Sequence, residues 1–188
     1  MSRTFPLTAI VLRKTKLGET DLILTLLGSD GAQHRAVAKG ARKPGGKLAG
    51  RGEPGVVFDA LIARGRSLDI VSDARIVNAH AMLREDYDLV HVASVMLDFA
   101  AAVSQEGLDE PELYALTIKA LDALEVCGGD PARAERYMLA YLVKAAALCG
   151  FHSSIDPNSA EFDAVRRFLN ESVPARLKAL EYYATMRA

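Results

Sequence analysis

Hydrophobic residues in the first third of the chain recur with a period of two, in short runs separated by polar breaks. Residues 8–16 open with Ala9-Ile10-Val11-Leu12 and end in Arg13, Lys14 and Lys16. Leu17-Gly18-Glu19-Thr20 is a break, residues 21–27 are rich in Leu and Ile, and Gly28-Ser29-Asp30-Gly31 carries a turn signal. In residues 32–38, Gln33, Arg35 and Val37 fall on one face, and Ala32, His34, Ala36 and Ala38 on the other. A polar, glycine-rich stretch covers 39–55. Val56, Phe58, Ala60 and Ile62 then alternate, Arg64-Gly65-Arg66-Ser67 makes a tight connection, and residues 68–72 close the set. Five strands joined by hairpin-type turns predict a small closed or partly closed barrel.

From about Asn78 the period becomes 3.6. Leu89, Val92, Ala93, Met96, Ala100 and Val103 form one helical stripe. Asp109-Glu110-Pro111-Glu112 reads as a helix start with Asp109 as the cap, and Leu113, Leu116, Ala120 and Leu124 as the buried face. Gly128-Gly129 ends that helix and Asp130-Pro131 starts the next, which buries Met138, Tyr141, Leu142, Ala145 and Cys149. Shorter helices are expected near 159–170 and 174–186. The reading is an α+β chain, with a barrel domain over 1–78 and an all-α domain over 79–188.

The length of 188 residues suits two small domains, and 50% hydrophobic residues exclude a disordered chain. The net charge of -1 conceals a split. Residues 1–80 hold 13 Lys/Arg against 7 Asp/Glu, giving +6, and residues 81–188 hold 10 against 17, giving -7. A basic half predicts a polyanionic partner for the barrel. The opening Met1-Ser2-Arg3-Thr4-Phe5-Pro6 lacks the apolar core of a leader, and no run is long enough to cross a bilayer. A cytoplasmic protein is therefore expected, and Cys127 and Cys149 are expected to be buried thiols.

The most informative segment runs from Arg35 to Arg51. It carries Arg35, Lys39, Arg42, Lys43, Lys47 and Arg51, no acid, and several glycines. Such a loop is expected to be flexible, to lie outside the core, and to meet a phosphate backbone, where several cations release counterions together. An ordinary solvated loop is the plainer reading. The shared bias of Arg13, Lys14, Lys16, Arg64 and Arg66 favours nucleic acid. Only Phe5 and Phe58 are aromatic before residue 80. Binding is thus expected to be mainly electrostatic, with Phe58 in the core.

No catalytic constellation emerges. His34, His80, His91 and His152 are scattered, and no nucleophile elbow, phosphate loop or dinucleotide fingerprint occurs. Asp69 and Asp73 read as strand-end acids rather than as the metal-binding carboxylates of a nuclease.

Several ordered segments resemble the RecO family. They are Ala9-Ile10-Val11-Leu12-Arg13, Leu17-Gly18-Glu19-Thr20-Asp21, Ala36-Val37-Ala38-Lys39-Gly40-Ala41-Arg42-Lys43, Lys47-Leu48-Ala49-Gly50 and Arg64-Gly65-Arg66-Ser67-Leu68-Asp69. Together they cover nearly the whole first domain. The second half is similar in pattern, through Leu83-Arg84-Glu85-Asp86 and Leu148-Cys149-Gly150-Phe151.

The resemblance implies an OB-fold barrel followed by a helical domain. It implies binding to single- and double-stranded DNA, annealing of complementary strands, and help in loading recombinase onto DNA coated by single-strand-binding protein. It also implies partnership with RecR and no enzymatic turnover. Many members carry a four-cysteine zinc site just after the position of Cys149-Gly150-Phe151. Here Phe151 to Pro157 has no cysteine, so the resemblance is to a short form without that site, and no metal or other cofactor is expected.

The acidic, apolar-ended tail of single-strand-binding protein would need a cation beside an apolar groove. Lys144, Arg166, Arg167, Arg176 and Lys178 are the candidates in the helical half. The alternative function is an adaptor whose barrel or helical groove docks acidic protein tails, with DNA binding incidental.

Overall fold

A computed structural model describes residues 4–187; Met1, Ser2 and Arg3, on which the expectation of no leader rests, and Ala188 lie outside the described residues. Five strands, β1 (Thr4–Leu17), β2 (Asp21–Gly28), β3 (Gln33–Ala38), β4 (Val57–Ala63) and β5 (Asp69–Asn78), close into a barrel in the order β1-β2-β3-β5-β4. That order is the OB-fold arrangement.

β1 is longer than the pattern predicts because it serves two neighbours. Residues from Thr4 to Ile10 pair with β4, and those from Ala9 to Leu17 pair with β2. A register shift between Val11 and Arg13 lets one strand bend between the two. β5 also outruns its expected end. Its outer half exposes Arg75, Ile76 and Val77 in succession, which hides the alternation, and two register shifts break its pairing with β4. The barrel is sealed by a short parallel contact of β3 and β5, Ala36 with Asp69 and Val37 with Ile70.

The inward faces obey the period of two. Leu24, Leu26, Phe58 and Ile62 are almost fully buried in one cluster with Ala36 and Ala38. The 39–55 segment departs from expectation. Ala41 and Leu48 are buried members of the same core, and Gly52 lies against the methyls of Leu22 and Leu24. A chain of turns achieves this. Gly46 N–H donates to Lys43, Ala49 to Gly46, Arg51 to Leu48, and Gly55 back to Val11. The segment is a turn-built cover over the barrel, since an open end would leave Leu22 and Leu24 in water. Residues 105–111 also belong to the barrel unit. The Gln33 N–H donates to the Gln105 carbonyl at 3.0 Å, and Gly31 (φ 84°) abuts the Glu110 backbone.

The helical unit comprises His80–Ser104 and the chain from Glu112 onward. Its elements are α1 (Met82–Glu85), α2 (Tyr87–Val103), α3 (Pro111–Glu125), α4 (Pro131–Leu148), α5 (Phe162–Ser172) and α6 (Lys178–Arg187). Asp86 caps α2 through Asp88 and Leu89 N–H, and Asp130 caps α4 through Ala132 and Arg133 N–H. The α2 stripe is buried as expected.

In α3 the buried face is rotated from expectation. Leu113, Thr117, Leu121 and Leu124 are buried, while Leu116 and Ala120 are only half-buried. Thr117 can enter the core because its hydroxyl is satisfied, donating to Leu113 O at 2.7 Å and lying 3.0 Å from the Tyr141 hydroxyl. The helix starts at Pro111, so Asp109 stands outside it and does not occupy the cap position. α5 and α6 also start later than the pattern suggests. Asp156 binds Asn158 N–H and the Ser159 hydroxyl, which favours a turn there over helix. Cys127 is buried, but Cys149, at the end of α4, is only half-buried. No helix among the described residues is long and apolar enough to cross a membrane. Among the same residues, no group of three or more His, Cys, Asp or Glu is placed to hold a metal ion.

Candidate nucleic-acid interface

The outer face of the β1-β2-β3 sheet brings two arginines into register. Arg13 pairs with Thr25 on β2, and Thr25 pairs with Arg35 on β3. Cross-strand partners share a face, so Arg13, Thr25 and Arg35 form one row across three strands, with both arginines exposed. Each strand contributes an outward position opposite a buried neighbour: Leu12, Leu24 and Ala36 are buried.

At the end of the β1-β2 hairpin the basic segment is anchored by its backbone. Gly40 N–H donates to Asp21 Oδ1 at 2.8 Å, Arg42 N–H to Thr20 O at 2.9 Å, and the Arg42 guanidinium to Gly18 O at 3.0 Å. The Gly40 bond, then the Thr20 hydroxyl, hold the Asp21 carboxyl below its usual range. Asp21 therefore stays ionised and pins Gly40, leaving Lys39 and Lys43 exposed beside it.

The remaining predicted cations divide into two groups. Lys14 is ion-paired with Glu53, and Lys47 with Asp73 at 3.2 Å. Arg51 is half-buried with its Nε enclosed and without a partner. These three sit against acids or protein, so the stretch is not the uniformly solvated basic loop that the sequence suggests. Lys16, Arg35, Lys39, Lys43 and Arg66 are exposed and make no ion pair among the described residues. Arg64 is exposed as well, with its guanidinium 4.6 Å from the Phe5 ring centroid. Asp69 and Asp73 serve neighbours, Asp69 accepting from Gly65 N–H and Asp73 from Ala74 N–H and Lys47.

Arg75 escaped the sequence reading. It is exposed on β5 and bound to Asp59 at 2.8 Å, while Asp59 also accepts from the Thr8 hydroxyl. The Thr8 bond, then Arg75, lower the Asp59 carboxyl. The order of charges along β5 offers no sign of this, because the partner lies across the sheet.

In the helical unit the five tail-binding candidates are not equivalent. Arg166 makes a two-pronged bond to Glu181, at 3.0 Å from Nε and 2.6 Å from its terminal nitrogen, tying α5 to α6. It is committed within the fold. Lys144, Arg167, Arg176 and Lys178 are exposed. One hollow beside Arg167 is lined by Asp163, Arg166, Arg167 and Asn170, and another beside Arg176 mixes apolar Val173, Pro174 and Ala175 with Asn170, Arg176 and Glu181.

Comparison with known proteins agrees with the barrel-then-helices order. Residues 1–80 match the family described as Recombination protein O N terminal, and residues 84–157 match Recombination protein O C terminal. The chain is similar to the DNA repair protein RecO of Synechococcus elongatus, 43% identical over 129 residues, which are 69% of this chain and 48% of that protein. It is also similar to the DNA repair protein RecO of Bifidobacterium longum, 40% identical over 146 residues, 76% of this chain and 59% of that one. The chain thus spans about half the length of the curated relatives it matches.

Proposed function

The chain belongs to the recombination protein O family, and on that premise we propose that it is a recombination mediator whose barrel binds single- and double-stranded DNA. In this role it anneals complementary strands and, with RecR, helps load recombinase onto DNA coated by single-strand-binding protein. The observation that carries the reading is the row Arg13, Thr25, Arg35 on the outer face of β1-β2-β3. The strand 2–3 face of an OB barrel, flanked by its first and last hairpin loops, suits an extended polyanion. Here Lys16 stands on β1 just before the first loop, Arg64 and Arg66 lie in the last, and Lys39, Arg42 and Lys43 extend the positive surface.

The work is positional and needs no bond made or broken. Phosphates are neutralised by exposed cations, two strands are held at raised local concentration, and base pairing supplies the specificity. Chromosomal DNA as the target places the protein at the nucleoid in the cytoplasm. The acidic tail of single-strand-binding protein would use Lys144, Arg167, Arg176 and Lys178, since Arg166 already serves Glu181.

A strand-annealing assay tests the reading. Two complementary oligonucleotides, bare or coated with single-strand-binding protein, should anneal faster with the protein than without it. The doubly substituted R13A/R35A chain should lose most of the gain. Equal rates with and without the unsubstituted protein, on bare strands, would refute the annealing role.

A further inference from the structure

Most cations on the barrel that are held in place are held by acids, which fix and neutralise them together. Lys14 has Glu53, Lys47 has Asp73, and Arg75 has Asp59. Arg64 is held in another way. Phe5 on β1 pairs with Ile62 on β4, and two residues on Arg64 leaves that strand with its guanidinium over the Phe5 ring. The two-residue step returns the side chain to the same face of the strand.

Phe5 is itself fixed. It is half-buried and packs against the barrel core, and the His34 ring stands 6.3 Å away at 42°. His34 in turn is held by Asp30 at 3.0 Å. The turn after Arg64 is tight. Gly65 N–H donates to Asp69 Oδ1 at 3.1 Å, and a side chain at Gly65 would collide with the Leu68 carbonyl. Arg64 is thus held by a ring and a short turn and makes no ion pair among the described residues.

A guanidinium seated on one ring can take a second planar group on its other side, and Arg64 is exposed, with its Cζ 4.6 Å from the Phe5 centroid. Unpaired bases stack on such planes, whereas the bases of a duplex are already stacked on one another. We propose that Arg64, seated on Phe5, is a stacking contact for one unpaired nucleobase, by which the barrel tells single-stranded DNA from duplex. This rests on the DNA-binding reading above and supplies what a purely electrostatic surface lacks. Phosphate contacts from Arg35 and Arg66 treat both forms of DNA alike. A base stack rewards only the form whose bases can turn outward.

The test uses the full chain and three ligands: a single-stranded oligonucleotide with a central 2-aminopurine, the same strand in duplex, and the same strand with an abasic site at the centre. R64K retains the charge and removes the planar face. R64K should bind the single strand roughly fivefold or more weakly than the unsubstituted chain, the scale of one lost base stack. Duplex affinity should change by less than about twofold, because the charge is kept. The quenching of 2-aminopurine seen with the unsubstituted chain should be lost, and the abasic strand should bind both proteins alike. F5L, checked for an unchanged melting temperature, should act in the same direction. If R64K matches the unsubstituted chain on all three ligands, or weakens all three equally, the stacking role is wrong while the DNA-binding reading stands. If the unsubstituted chain binds none of the ligands, both fall.

Discussion

Lys47 lies 3.2 Å from Asp73, so a cation of the basic segment is joined to the fifth strand rather than standing free in solvent. Asp73 is lowered first by that Lys47 bond and then by its own Ala74 N–H bond, which keeps the Asp73 carboxylate ionised at neutral pH. A phosphate must compete with Asp73 for Lys47, whereas Lys43 makes no ion pair among the described residues and feels Asp21 only at longer range. K43A should therefore weaken oligonucleotide binding more than K47A, and D73N should strengthen it. Titrations of the three variants at one salt concentration decide the point, and equal losses for K43A and K47A would count against it.

The row of Arg13 and Arg35 predicts a salt signature. Losing two phosphate contacts on a single strand should flatten the slope of log affinity against log salt by about 1.4, at about 0.7 per contact. R13A/R35A should show this change with every sequence alike. A change confined to one sequence would mean base readout instead.

The Thr117–Tyr141 pair predicts an asymmetry in stability. Burial pushes the Tyr141 hydroxyl up in pKa, so it stays protonated and requires a hydrogen-bond partner. In Y141F, Thr117 still donates to Leu113 O, and the loss should be about 1 kcal/mol. In T117V the Tyr141 hydroxyl loses its partner in the core, and the loss should be about 1–3 kcal/mol. Urea midpoints of the two variants should fall in that order.

Glu181 predicts a pH dependence. The Arg166 guanidinium, then Asn170, hold its carboxyl down to about 2 from an ordinary 4.5. A carboxylate depressed by folding contributes stability that is fully present above the unfolded value and is lost as pH falls through the folded one. E181Q should accordingly be less stable than the unsubstituted chain above about pH 4.5, with the difference fading toward pH 2. Thermal melts across that range measure it. A difference that grows with acidification would contradict the assignment.

Gly31 predicts a local defect. Its φ of 84° disfavours any side chain, and an added Cβ would meet the Glu110 backbone. G31A should cost about 1–3 kcal/mol, the range for a strained left-handed residue. It should also speed amide exchange at Gln33, whose N–H is held by Gln105. Unchanged exchange there would separate strain at Gly31 from the seating of residues 105–111.

Much of the fold was legible because periodicity is local. Phe58, Ala60 and Ile62 are buried on β4 since alternate side chains of any strand share a face, and the α2 stripe follows from 3.6 residues per turn. Asp130-Pro131 announced its helix by the same short-range chemistry, a side chain reaching the next two N–H groups. The misreadings came where a distant partner changes what a residue tolerates. Leu116 yielded the core to Thr117 because Tyr141 satisfies the hydroxyl, and Ala41 and Leu48 are buried because the barrel end needs a cover.

The candidate interface divides along the same line. Composition and period alone establish that the barrel half is basic and that the alternating runs are strands, since neither needs knowledge of pairing; the expectation that Arg13 lies at a strand end fails, because β1 runs on to Leu17. Where each of the barrel's cations sits, and which acid or ring holds it, is a matter of tertiary structure. It set Arg13 and Arg35 on either side of Thr25, gave Lys47 to Asp73, and laid Arg64 on Phe5. Each of these depends on strand register around a closed barrel. Register is set by the whole ring of strands and its bulges, and a shift of one residue would turn every such side chain to the opposite face.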